Sequence, residues 1–166
     1  MRDTFLAFCA EVTAFKPFEL EGTGLTDTYL QAVQDIVGQD TLGQLLGAYR
    51  ELSCGSESER REQLRRRIFG NEKLGPIARN IVKLWYIGIW YQLPRDWTDA
   101  YGARPKDVTF TPNATAYMEG LLWKAAGAHP PGANAPGYGS WATPPRIPGL
   151  ELGAEAAPRR FPAKLL

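Results

Sequence analysis

The run from Leu74 to Leu93, LGPIARNIVKLWYIGIWYQL, is apolar around most of a helix circumference. One stripe holds Ile77, Ile81, Leu84, Trp85 and Gly88, and a second holds Val82, Tyr86, Ile89 and Trp90. A helix apolar nearly all round must be enclosed by neighbours. Arg79, Asn80, Lys83 and Gln92 interrupt the run, which therefore falls short of the roughly 18–20 apolar residues that cross a bilayer. It is expected to be the central helix of a bundle, closed by Pro94.

The segments before it repeat the helical period. Asp3 or Thr4 caps a first helix burying Phe5, Leu6, Phe8, Cys9 and Val12, ended by Lys16-Pro17. Residues 18–24 read as a loop. Thr26 or Asp27 caps a second helix with the stripe Tyr29, Leu30, Val33, Ile36 and Val37, stopped by Gly38. A third helix from about Asp40 buries Leu42, Leu45, Leu46 and Tyr49. A fourth, 57–69, is highly charged around Leu64, Ile68 and Phe69. Residues 94–112 are punctuated by Pro105 and Pro112 and read as a long irregular connection, with extended chain near Val108-Thr109-Phe110. Thr111 or Asn113 then caps a last helix burying Ala116, Tyr117, Gly120, Leu121, Trp123 and the stem of Lys124.

That helix runs into GAHPPGANAPGYGSWATPP, a Pro/Gly rope carrying His129, Tyr138 and Trp141. Pro removes backbone donors and Gly adds chain entropy, so such a rope builds no core of its own. Large rings on irregular backbone lie down on something, either the parent bundle or another protein. The expected fold class is all-α: a compact bundle of about five to six helices over 1–127, and an irregular C-terminal extension over 128–166.

Chemistry is sparsely provided. With one His in 166 residues, a nucleophile–base pair would have to use His129, which precedes a Pro-Pro pair rather than ending a rigid strand. No GxSxG elbow, glycine-rich phosphate fingerprint or Glu-x-x-His pair occurs. Glu11, Glu19, Glu21, Asp27 and Asp35 read as caps and solvated faces. In the arginine run, Glu57–Arg61 and Glu62–Arg66 stand four apart, each pair contributing about 0.2–0.5 kcal/mol to an ion-paired helix. A docking face for an acidic protein patch is the second reading of that run. The formal net charge of +1 gives no bulk attraction to nucleic acid. His129 reads as fixing its turn through a carbonyl, or as touching a partner. Cys9 and Cys54 match no metal spacing; they read as buried thiols or as one disulfide.

Three blocks in order resemble a known family: FLAFCAEVTAFKPFELEGTGLTDTYL, LGPIARNIVKLWYIGIW and AYMEGLLWKAAGAHPPGANAPGYGSWATPP. They look like the small (gamma) subunits of FAD-dependent sugar and polyol dehydrogenases, the gluconate 2-dehydrogenase small-subunit family and its sorbitol, fructose and glucose dehydrogenase counterparts. The resemblance lies in Phe5-Leu6 to Thr13, Trp85-Tyr86-Ile87-Gly88 and Trp141-Ala142-Thr143-Pro144-Pro145. It implies a non-catalytic partner of a large flavoprotein of the glucose-methanol-choline type, which carries the FAD and the catalytic base. It leaves open an electron-transfer subunit as a further partner. No cofactor, metal or catalytic residue is expected in this chain.

The expected partner surface is Trp85, Tyr86, Trp123, His129, Pro130, Pro131, Tyr138, Trp141, Pro144 and Pro145, aromatic-rich as interface hot spots are. The alternative is a stand-alone enzyme or small-ligand carrier with a pocket between the central and last helices. The opening MRDTFLAFCAEV has no signal-peptide pattern. As written the chain is expected in the cytoplasm; as a trimmed mature form, in the periplasm.

Overall fold

The computed structural model describes residues 1–52, 55–131 and 133. Its regular structure is helical: α1 (Arg2–Thr13), α2 (Pro17–Gly22), α3 (Thr26–Val37), α4 (Gln39–Arg50), α5 (Glu57–Leu64), α6 (Leu74–Ile87), α7 (Arg95–Tyr101), α8 (Ala114–Met118) and α9 (Leu121–Ala125). Among the described residues the elements are more numerous and shorter than the sequence suggested. α5 runs on into a π turn, Arg65–Phe69, closed by an i→i+5 bond from Gly70 N to Arg65 O at 2.7 Å.

Helix α6 is central, in contact with α1, α3, α4, α8 and α9 and with the π turn. Its first stripe is the core: Ile77, Ile81, Leu84 and Trp85 are buried with Phe5, Phe8, Tyr29, Val33, Leu42 and Leu45. Each such side chain contributes about 1.5–3 kcal/mol by leaving water. Of the second stripe, Val82, Tyr86 and Ile89 are only half-buried, whereas Trp90 is fully buried.

α6 is shorter than expected. It stops at Gly88, not Pro94, because Gly88 adopts left-handed backbone (φ 69°) while its N–H still bonds Leu84 O at 3.0 Å. Beyond it the chain is extended, and Trp90 and Phe110 exchange N–H···O bonds of 3.0 Å as an isolated antiparallel bridge. The connection 94–112 is fastened by Asp107, which is 3% exposed. Its carboxylate accepts from Trp90 Nε1 (3.0 Å) and from Leu93 N (3.0 Å). The same connection contains α7, whose Trp97 is buried and donates Nε1–H to Lys73 O at 2.8 Å.

Other boundaries move for local reasons. The presumed loop after Lys16 is α2: Pro17 occupies the first helical position, and Glu19 accepts from Lys16 N at 2.8 Å. α1 and α3 begin without the caps expected of Asp3, Thr4, Thr26 or Asp27. α5 instead has a capping box, Ser56 Oγ accepting from Glu59 N and Glu59 Oε2 from Ser56 N. The last helix starts at the Asn113 cap, Oδ1 to Ala116 N at 2.9 Å, but breaks at Gly120. There Tyr117 O accepts from Gly120 N (3.4 Å) and from Trp123 Nε1 (2.7 Å), so the α-helical ladder does not continue through it.

Of the acids read as solvated, Glu11 is half-buried. Arg60 forks onto it, Nε to Oε1 and Nη2 to Oε2 both at 2.8 Å, and Tyr49 OH donates to Oε2 at 2.8 Å. This ties α5 to α1 and α4. Burial pulls the Glu11 carboxyl up, but Arg60 and Tyr49 together outweigh it and hold it below the usual carboxylate range.

Four variants check this account. A Gly88→Ala chain has to place a methyl 2.5 Å from Ala116 O in left-handed backbone. Urea titration should show it less stable by roughly 2–5 kcal/mol. Gly47→Ala, inside α4 with nothing within 4 Å of the new methyl, should gain about 0.5–1 kcal/mol. Asp107→Ala leaves two buried donors unpaired and should lose about 2–4 kcal/mol in the same assay. A carboxyl with a depressed pKa stabilises above its unfolded value, about 4.3, and loses that contribution as pH falls through the folded value. The parent should therefore exceed Glu11→Gln in stability by about 1–3 kcal/mol at neutral pH, the gap closing below about pH 4.

Candidate functional site

The expected partner residues separate into three groups. Trp85 is 1% exposed and lies in the core, its ring edge-on to Tyr29 with centroids 4.8 Å apart. It is not available to a partner, which corrects the sequence reading. Tyr86 is half-buried and turned inward: its ring meets Phe15 edge-on at 6.2 Å and its hydroxyl donates to Thr13 O at 2.8 Å. Both face α1 or the core because α6 is enclosed on that side.

The second group sits where the chain leaves the bundle. Tyr117 and Trp123 pack edge-to-face at 5.5 Å, bridging the break between α8 and α9. Tyr117 is 41% exposed and Leu122 43%, while Trp123 is half-buried. Tyr117 was expected inside; it points out, and its hydroxyl donates to Pro131 O at 3.4 Å. Pro130 is buried and Pro131 exposed. His129 is exposed and bonds no carbonyl among the described residues, so the turn is not held by its imidazole. Together these residues form an aromatic and apolar edge. Sequence reasoning missed Leu122 as part of it, although its position beside Leu121 on a short helix places the two on different faces.

The third group, Tyr138, Trp141, Pro144 and Pro145, lies outside the described residues, as does Cys54.

The edge is braced from behind at close quarters. A Cβ on Gly120 would come within 2.8 Å of Tyr86 O, and one on Gly88 within 2.5 Å of Ala116 O. α6 therefore meets α8 and α9 backbone to backbone, leaving no room for a small molecule at these crossings. Two cavities among the described residues are a cleft of ≈ 560 Å³ at the start of α6 and a hollow of ≈ 200 Å³ beside Met1, Thr4 and Arg50.

Two of the carboxylates have structural occupations, whereas the buried Tyr29 hydroxyl meets no hydrogen-bond partner. Asp107 holds the connection, and Glu11 holds α5. Cys9 is a free thiol, fully buried; burial pushes it well above its ordinary range, with the Trp85 side chain pulling weakly the other way. The Trp85 indole N–H itself reaches no full hydrogen bond. No three His, Cys, Asp or Glu side chains cluster as metal ligands among the described residues. No described helix is long and apolar enough to cross a membrane.

Compared with protein-family models, with curated proteins and with solved structures, the chain shows no match.

The state of Cys9 is directly measurable. In a Cys54→Ser chain, a thiol reagent should label Cys9 only at the rate of unfolding, because the thiolate form is suppressed and enclosed. Labelling of the native chain at the rate of a free thiol would contradict the burial described.

Proposed function

We propose that this chain is a non-catalytic accessory subunit that binds and stabilises a flavin-dependent oxidoreductase of the glucose-methanol-choline type, acting on a sugar, glycoside or polyol hydroxyl. The observation that carries the reading is the exposed edge of Tyr117 and Leu122 with Trp123 beside it, placed where the chain leaves the bundle for its Pro-rich extension. An aromatic and aliphatic edge on a rigid brace is what a partner's groove can bury at little ordering cost. The extension would continue the contact, since Pro restricts the free chain before binding. The occupation of Glu11, Asp107 and Cys9 in packing also favours a binding role. FAD and the catalytic base would reside in the partner, and the motifs of three sequence blocks point to that partner class.

Co-expression with a large flavoprotein of that type tests the reading. The expected result is a yellow, stoichiometric, sugar-oxidising complex, with the flavoprotein insoluble or inactive alone. Tyr117→Asp and Leu122→Asp should each weaken the complex by about tenfold or more without loss of helicity. Truncation after Gly127 should keep the bundle helical and abolish the complex. A colourless chain that elutes alone, well folded and indifferent to the flavoprotein, would overturn the proposal.

A further inference from the structure

The cleft at the start of α6 is lined by Gln44, Arg66, Asn71, Glu72, Lys73 and Tyr101, with a volume of ≈ 560 Å³. That volume is within the range of small-molecule sites, about 300–1,000 Å³. It lies at the opposite end of α6 from the Tyr117–Leu122 edge, roughly 20 Å away at 1.5 Å rise per residue. Nothing in the accessory-subunit reading uses it.

Its two lining cations are held differently: Lys73 by neutral groups, Arg66 by a long, exposed ion pair with Glu62. Lys73 Nζ donates to Gln44 Oε1 at 2.8 Å and stands 5.7 Å above the Tyr101 ring. Its backbone is fixed as well, N to Asn71 Oδ1 at 2.9 Å and O from Trp97 Nε1 at 2.8 Å. Among the described residues Lys73 forms no ion pair, so an ammonium with three donors is held in place by neutral groups. Arg66 projects from the π turn. Its Nε is 3.7 Å from Glu62 Oε1, beyond a hydrogen bond, and its side chain is 80% exposed. The Nη groups of that guanidinium have no partner among the described residues and can take a planar oxyanion, with Lys73 supplying a point charge beside them.

The charged side chains lining the cleft are Arg66, Lys73 and Glu72, with Glu62 on the outer side of Arg66. The positive end of the α6 dipole faces the same place. Its own N–H groups are not the readers, because Asn71 Oδ1 already accepts from Lys73 N and Leu74 N, and Pro76 has none. Recognition falls to the Arg66 and Lys73 side chains. The π turn that carries Arg66 is a rare backbone form found often at functional sites.

We propose that this cleft binds a small anion carrying a phosphate or carboxylate group, held by Arg66 and Lys73. Sodium phosphate and citrate, titrated into the full chain at fixed ionic strength, separate the two sources. Amide shifts at Asn71, Lys73 and Leu74 and the heat of binding are the readouts. Saturable binding of either anion is expected, and the tighter one identifies the group. Arg66→Ala and Lys73→Gln should each weaken it by about tenfold. Arg95→Ala, which removes the same charge from a side chain 92% exposed on α7, should leave it unchanged. Arg66 packs against little, so its variant reports binding even if Lys73→Gln disturbs the fold. Absence of saturation with both anions, or equal loss in the Arg95 variant, would overturn the proposal.

Discussion

Helix α6 lies as close to its neighbours as it does because hydrogen stands where a side chain would at three positions. A Cβ built on Gly75 would sit 2.5 Å from Phe69 O, on Gly88 2.5 Å from Ala116 O, and on Gly120 2.8 Å from Tyr86 O. These are approaches to backbone, which cannot swing aside as a long side chain can. One lies where the π turn hands over to α6, one at the end of α6, and one at the break between α8 and α9. Glycine costs about 0.5–1 kcal/mol of chain entropy relative to alanine in a helix. Here that cost is offset by contacts that only a close crossing allows. Helices of five residues such as α8 and α9 do not hold themselves together. Their stability comes from lying against α6.

Polar groups then decide where the chain may not wander. A buried carboxylate is unfavourable unless its oxygens are met. Asp107 meets an indole N–H and a backbone N–H, and so fixes the extended chain after Gly88 against the connection that returns to Phe110. Glu11 meets a guanidinium fork and a phenol, and so fixes α5, whose own buried surface is little more than Leu64. The hydrophobic stripe supplies most of the stability. The polar clasps choose among the ways the stripe could be covered.

The stripes were legible because burial follows the 3.6 period: Phe5, Leu6, Phe8 and Cys9, then Tyr29, Val33, Ile36 and Val37, are buried as their spacing demands. Asn113 was legible as a cap, and Phe110 as extended chain. The end of α6 was not, since Ile87-Gly88-Ile89-Trp90 stays apolar and its pattern does not mark Gly88 as the left-handed stop. α7 was hidden in a Pro-punctuated stretch, and only the burial of Trp97 gives it away. For the candidate site the limit is the same one. When a helix is apolar nearly all round, sequence cannot say which aromatic residue faces in, so Trp85 and Tyr86 looked equal to Trp123. Glu11 looked like any surface acid because its partner, Arg60, comes from another helix.

The exposed edge and the arginine-lined cleft sit at the two ends of α6, and they are exposed for different reasons. Tyr117 and Leu122 point outward because Gly120 turns the chain there: continuing the helix straight would carry these side chains to other faces. Arg66 points outward because it stands two residues from both Leu64 and Ile68, on the side of the helix opposite the face they bury. Ile68 is buried, whereas the three arginines that precede it, Arg65 to Arg67, are exposed. Leu64 and Ile68, four apart, share the face that fills the core, so the burial of Ile68 and the outward direction of Arg66 follow from one helical spacing.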